Sequence, residues 1–151
     1  MTTRIGLLGA GNISETHARA ARELADVQLV ACWGRDAGRA ARLTREYGGQ
    51  AYADLDAFLS HRPMEAVIVG TPSGLHAEHA RAAAQRGLHV LVEKPLDVTT
   101  ARIDALLDEC ERVGVTVGVI FQDRAAPDLI WLKHAIAAGA LGTSVLASAR
   151  V

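Results

Sequence analysis

An α/β domain built on a doubly wound parallel sheet is the fold this sequence predicts, on three observations. Short apolar runs alternate with segments of helical spacing along most of the chain. Those runs are nearly continuous in Val, Leu and Ile, as strands are when helices cover both faces of their sheet. The first run also ends in Gly9-Ala10-Gly11-Asn12-Ile13-Ser14, a glycine turn with a helix pattern directly behind it.

Taken in order, strands are expected at Arg4–Gly9, Gln28–Trp33, Gln50–Tyr52, Ala66–Gly70, His89–Glu93 and Val115–Phe121. In the first helix Ile13, His17, Ala20, Ala21 and Leu24 fall on one face, and His17 on that stripe reads as a packing residue. In the fifth, Ile103, Leu106, Leu107, Cys110 and Val113 do the same. Short connections and right-handed crossovers give two mononucleotide halves with strand order 3-2-1-4-5-6. Past Phe121 the rhythm breaks. Gln122–Pro127 is a polar connection, and Leu129, Leu132 and Ile136 align on a helix that Gly139 and Gly142 close. Ser144–Val151 reads as a final strand. An apolar strand with nothing behind it is an open sheet edge, so the polypeptide is expected to continue. The pattern divides after Phe121, into an alternating α/β domain over 1–121 and then a linker, a helix and a single strand over 122–151 that would begin something further.

Composition narrows the partners. The chain has 151 residues, is 50% hydrophobic and carries a net charge of −1, enough for a real core and unlike a nucleic-acid or acidic-membrane binder. No run approaches the roughly 20 apolar residues that cross a bilayer. Met1-Thr2-Thr3-Arg4 enters a strand at once, without a signal-peptide layout. Cys32 and Cys110 fall on apolar faces and read as buried reduced thiols, and no Cys/His cluster has metal-ligand spacing. A cytoplasmic domain without metal is the expectation.

The glycine loop is the layout for holding a dinucleotide pyrophosphate. Gly9 permits the tight turn and Gly11 keeps Cβ off the phosphates, while Asn12 and Ile13 open a helix whose N–H groups face the anion. Ser14 replaces the usual third glycine or alanine, so a hydroxyl must fit where helix and strand pack closely. At the end of the second strand, where an acid would hydrogen-bond the adenosine ribose, the chain has Gly34 and then Arg35. A guanidinium pairs with a 2′-phosphate that a carboxylate would repel, so NADP is expected over NAD. Asp36 reads as the N-cap of the next helix.

Further motifs recur at strand ends: Thr71-Pro72-Ser73-Gly74-Leu75-His76, Glu93-Lys94-Pro95, Phe121-Gln122-Asp123-Arg124 and Gly139-Ala140-Leu141-Gly142. With the glycine loop and His17-Ala18, they make the whole chain resemble the N-terminal half of the Gfo/Idh/MocA-type oxidoreductases. The resemblance implies a Rossmann fold and a nicotinamide cofactor. It also implies a sugar, cyclitol or related substrate, and a homo-oligomer once the second domain is complete. It places Lys94 as the catalytic residue, hydrogen-bonded to the substrate oxygen beside the nicotinamide, and it implies a cis bond before Pro95. Thr71, Pro72 and His76 would pass under the nicotinamide-side ribose and phosphates, His76 as a neutral group that is structural or ribose-adjacent rather than a catalytic base. Glu93, Pro95 and Gln122 would complete the cofactor contacts. The family's catalytic histidine belongs to the second domain and has no counterpart here, so the isolated chain is expected to bind cofactor with little turnover. The alternative is a stand-alone nucleotide-binding sensor or subunit.

Overall fold

The computed structural model describes residues 1–148. It divides into two compact units, Met1–Ile120 and a second that begins at Phe121. The first is a six-stranded parallel sheet of β1 (Thr3–Leu8), β2 (Val27–Trp33), β3 (Gln50–Tyr52), β4 (Ala66–Val69), β5 (His89–Val92) and β6 (Val117–Val119), in the order β3-β2-β1-β4-β5-β6. That is the expected order. Between the strands run α1 (Asn12–Glu23), α2 (Ala37–Tyr47), α3 (Leu55–Leu59), α4 (His76–Ala84) and α5 (Thr100–Val113).

Two apolar clusters form the core, one on each side of the sheet. Ile5, Leu7, Leu29 and Cys32 meet Ala18, Ala21, Ala40 and Leu43 of α1 and α2. On the other side Leu8, Val67, Val69, Val90 and Val92 meet Phe58, the alanines of α4, and Leu106 and Cys110 of α5. Alternation along each strand distributes these side chains. β2 departs from it once. Its register against β1 shifts between Ile5 and Gly6, where Val30 is the extra residue. This bulge lets Leu29 and Cys32, three positions apart, face the same cluster.

The buried face of α1 is Ser14, Ala18 and Ala21, which keeps only Ala21 of the expected stripe fully buried; Ile13 is 40% exposed and Leu24 53%. Small residues win because the helix lies close against a glycine-lined strand end. A Cβ at Gly9 would lie 3.3 Å from Ser14 Oγ, and one at Gly70 3.1 Å. The Ser14 hydroxyl therefore fits because both neighbours lack a side chain.

In the second unit the 3-10 turn Gln122–Ala125 precedes α6 (Pro127–Ala137), with Pro127 at its first turn. Leu129, Trp131 and Ile136 on α6 are exposed. The expected strand Ser144–Val151 is corrected over its described part: residues 144–148 pair with nothing and take no strand. An extended segment becomes a strand only when a neighbour takes its hydrogen bonds. Positions 149–151 of that expectation lie outside the described residues. Among those described, no helix is long and apolar enough to cross a membrane.

Candidate functional site

The strand register builds the site. Tyr52, Trp33, Leu8, Val69, Val92 and Val119 pair as one row across the carboxyl edge of the sheet. Beyond the edge strand β3, the residue after each donates its N–H to the last residue of a neighbouring strand, as Gly9 does to Trp33 O (2.8 Å), Gly70 to Leu8 O (2.9 Å) and Glu93 to Val69 O (3.0 Å). The expected strands ran one residue too far at Gly9, Gly70 and Glu93, because these positions already turn into loops. Gly34, Gly9, Gly70 and Glu93 thus form the next row, along the edge where α/β sheets bind ligands and beside the β1–β4 switch point.

A cleft of about 340 Å³ opens on this row, lined by Gly9, Ala10, Gly11, Trp33, Gly34, Arg35, Asp36, Arg39, Gly70, Thr71 and Pro72. Gly9 has φ of 121° and a Cβ there would lie 2.7 Å from Gly70 O, so both conformation and contact demand glycine. Gly11 differs. Its φ of −90° suits any residue, and a Cβ would meet nothing within 4 Å. The fold does not need glycine there, whereas a pyrophosphate lying on the helix N-terminus would. No side chain caps α1 at Gly11, and the first N–H to find a helical acceptor is that of Glu15, on Gly11 O at 3.2 Å. The N–H groups of Asn12, Ile13 and Ser14 precede it and are left for an anion. The cradle fits a dinucleotide.

At the end of the cleft formed by Gly34, Arg35 and Arg39, Asp36 is the N-cap of α2: its Oδ1 accepts from Arg39 N at 3.1 Å. Its other oxygen lies 3.5 Å from Arg39 Nε. The carboxylate is occupied by its own helix, and the guanidinium groups of Arg35 and Arg39 are both exposed. Gly34 leaves room for Ala10, whose Cβ would lie 2.7 Å from a Cβ at position 34. Arg39, one turn into α2, was not singled out from sequence, although Arg at i+3 of an Asp cap is visible there.

Thr71 follows Gly70 and faces a histidine missed in the sequence. His79 Nδ1 and Thr71 Oγ1 are 3.0 Å apart, and the His79 ring meets Trp33 edge-on with centroids 5.5 Å apart. Burial lowers the His79 pKa from its ordinary 6.5, with charge from His76 and Arg35 adding to that and Glu78 opposing it. His76, at the first position of α4, is 2% exposed. Its Nδ1 lies 2.7 Å from Pro95 O and its Nε2 2.7 Å from Thr71 O, so the ring spans the loops after β4 and β5. A neutral ring donates to one of these carbonyls at a time, a charged one to both. Either way no ring nitrogen is left to contact a ligand. Asp97, also missed, ties the same loops: it is buried, and Oδ2 accepts from Ala77 N at 3.1 Å while Oδ1 accepts from Val98 N at 2.7 Å.

Lys94 follows Glu93 on the sheet edge, exposed, and the Lys94–Pro95 bond is cis. Glu93 is 8% exposed. Its Oε1 accepts from His17 Nε2 at 2.9 Å and its Oε2 from the Lys94 N–H at 3.2 Å. His17, read from its helix face as a packing residue, is half-buried, and its ring also bonds the Glu93 carboxylate, a partner the helix pattern did not show. Beneath the glycine loop, Cys32 is fully buried; its Sγ donates to Gly9 O at 3.7 Å, and burial pushes its pKa up to about 12. Gln122 belongs to the second unit, in the turn before α6, and is exposed.

Known proteins agree with this geometry. The chain is 38% identical over 123 residues to D-xylose 1-dehydrogenase (NADP(+)) 2 of Haloferax volcanii, covering 81% of this chain and 38% of that protein. It is 32% identical over 142 residues to inositol 2-dehydrogenase of Rhizobium meliloti, covering 94% and 43%. The crystal structure of the WlbA dehydrogenase from Bordetella pertussis, in complex with NADH and UDP-GlcNAcA, superposes with a TM-score of 0.90 at 30% identity, covering 93% of this chain and 41% of that one. The chain thus spans about two fifths of the length of these relatives. The sequence profile of the Gfo/Idh/MocA oxidoreductases, described as having an NAD-binding Rossmann fold, matches residues 3–121, and the chain belongs to that family.

Proposed function

We propose that this chain is the dinucleotide-binding part of an NADP-preferring dehydrogenase acting on a CH–OH carbon of a sugar, cyclitol or related polyhydroxylated molecule. The observation that carries the reading is the glycine cradle and Lys94 lying on one sheet edge. Gly9, Gly11 and the N–H groups of Asn12 and Ile13 would hold the pyrophosphate, and Thr71 and Pro72 would border the nicotinamide side. His76 would act from beneath, by fixing Thr71 and Pro95. A bound nicotinamide supplies the hydride donor or acceptor.

Lys94 would donate a hydrogen bond from Nζ to the substrate oxygen. That oxygen gains or loses charge as the carbon is reduced or oxidised, and a fixed ammonium stabilises the charged form. Arg35, with Arg39 beside it, supports NADP: two guanidinium groups border the cleft, and its one nearby carboxylate is engaged with α2. Relatives named for sugar and inositol oxidation support the substrate class. Residues from Phe121 onward, Gln122 among them, would begin the domain that selects substrate and mediates oligomerisation.

The test is cofactor titration of this chain, followed by Lys94→Ala in the full-length protein. Tighter binding of NADPH than NADH, and turnover reduced by about 100-fold with cofactor affinity kept, are expected. Equal or tighter NADH binding would overturn the NADP assignment. Unchanged turnover would remove Lys94 from the chemistry.

A further inference from the structure

We infer that His17 is a positioning residue for Lys94, acting through the Glu93 carboxylate that it shares with the Lys94 main chain. The inference rests on the reading of Lys94 as the group at the substrate oxygen.

Three features carry it. Glu93 stands where β5 ends, and its N–H still bonds to Val69 O, so its main chain is anchored to the sheet. Its side chain is 11% exposed and that of His17 14%, so the carboxylate is largely removed from water and depends on protein donors. It has one donor on each oxygen: His17 Nε2 and the Lys94 N–H. The Lys94 N–H lies just past the ladder, and the acceptor it finds is that carboxylate. The imidazole in turn sets the carboxylate rotamer. His17 itself is mounted on α1, whose first turn carries the glycine cradle. The chain of contacts runs from the helix that would receive the pyrophosphate to the residue that would meet the substrate. It also spans 76 residues of sequence.

A purely packing histidine would behave differently. Position 17 lies beside the α1 face formed by Ser14, Ala18 and Ala21, and leucine there would fill volume without donating a hydrogen bond. Glutamine would keep an N–H donor directed at Glu93 and fill less apolar space. The two roles therefore predict opposite orders for His17→Leu and His17→Gln.

The chain has two lysines, Lys94 and Lys133, so reductive ¹³C-methylation gives one resolvable reporter for Lys94 and one internal control. In this chain the Lys94 signal should move in His17→Leu and Glu93→Ala, return toward wild type in His17→Gln, and leave Lys133 unchanged. In the full-length protein His17→Leu should lower kcat about tenfold or more with cofactor affinity within about twofold, and His17→Gln should recover most of it. A Lys94 signal unmoved by His17→Leu, or glutamine behaving worse than leucine, would overturn the inference. Failure of the wild-type chain to bind any nicotinamide cofactor would instead sink the proposed function, while the Lys94 signal would still decide whether His17 positions that residue.

Discussion

Alanine at Gly11 should leave the fold intact and abolish tight cofactor binding, whereas alanine at Gly9 should damage the fold itself. At Gly9 the backbone holds φ at 121°, and an added Cβ would come within 2.7 Å of Gly70 O and 2.9 Å of Gly70 C. Both are main-chain atoms of β4's exit and cannot swing aside. The unfavourable dihedral and the forced separation of β1 from β4 together cost about 2–5 kcal/mol, a large part of an ordinary domain's stability. Gly11, with φ of −90° and no atom within 4 Å of its would-be Cβ, predicts a change within about 0.5 kcal/mol. That Cβ would nevertheless intrude on the cleft floor, and a tenfold or greater loss of NADPH affinity is expected, about 1.4 kcal/mol or more. Urea unfolding followed by circular dichroism reads the first quantity, and calorimetric titration with NADPH the second. Wild-type affinity in Gly11→Ala would refute the cradle argument. Wild-type stability in Gly9→Ala would refute the close-approach argument.

Other expectations concern charge. Arg35→Ala should weaken NADPH binding about tenfold and change NADH binding little, as measured by parallel titrations; equal losses would deny it contact with the 2′-phosphate. Burial lowers the His79 pKa in the folded state, so the unfolded chain takes up the proton first as pH falls through 6.5. His79 therefore removes stability as pH drops below that value and contributes nothing above it. His79→Gln should give a shallower loss of stability between pH 7 and 5, and an unchanged slope would contradict this. Cys32 and Cys110 are both buried with raised pKa values, so a disulfide reagent at pH 8 should titrate neither thiol until denaturant is added.

Much of this was legible in the sequence because it depends on local pattern. Continuous apolar runs marked six strands, and the glycine loop placed the cradle, since both follow from what a parallel sheet and a helix N-terminus require. Asp36 as a cap followed from its own side chain. What escaped depends on distance in the chain. The buried stripe of α1 was assigned by hydrophobicity, but close approach to Gly9 and Gly70 selects small residues, and Ser14 outranks Ile13 for burial. The Val30 bulge leaves no composition signal. The pairs His17–Glu93, His79–Thr71 and Asp97–Ala77 link residues 76, 8 and 20 positions apart, outside any periodic reading. Residues 144–148 take no strand because apolar content alone does not supply a pairing partner.

The most direct test of the central claim is an amide NMR titration of the ¹⁵N-labelled chain with NADP⁺. Saturable shifts are predicted at the row next to the strand ends: Gly9 to Ile13, Gly34 to Arg39, Gly70 and Thr71, with Lys94 following. The far edge of the sheet, at Thr3 and Ala66, should stay still. Shifts scattered over the surface, or none at millimolar cofactor, would contradict the account.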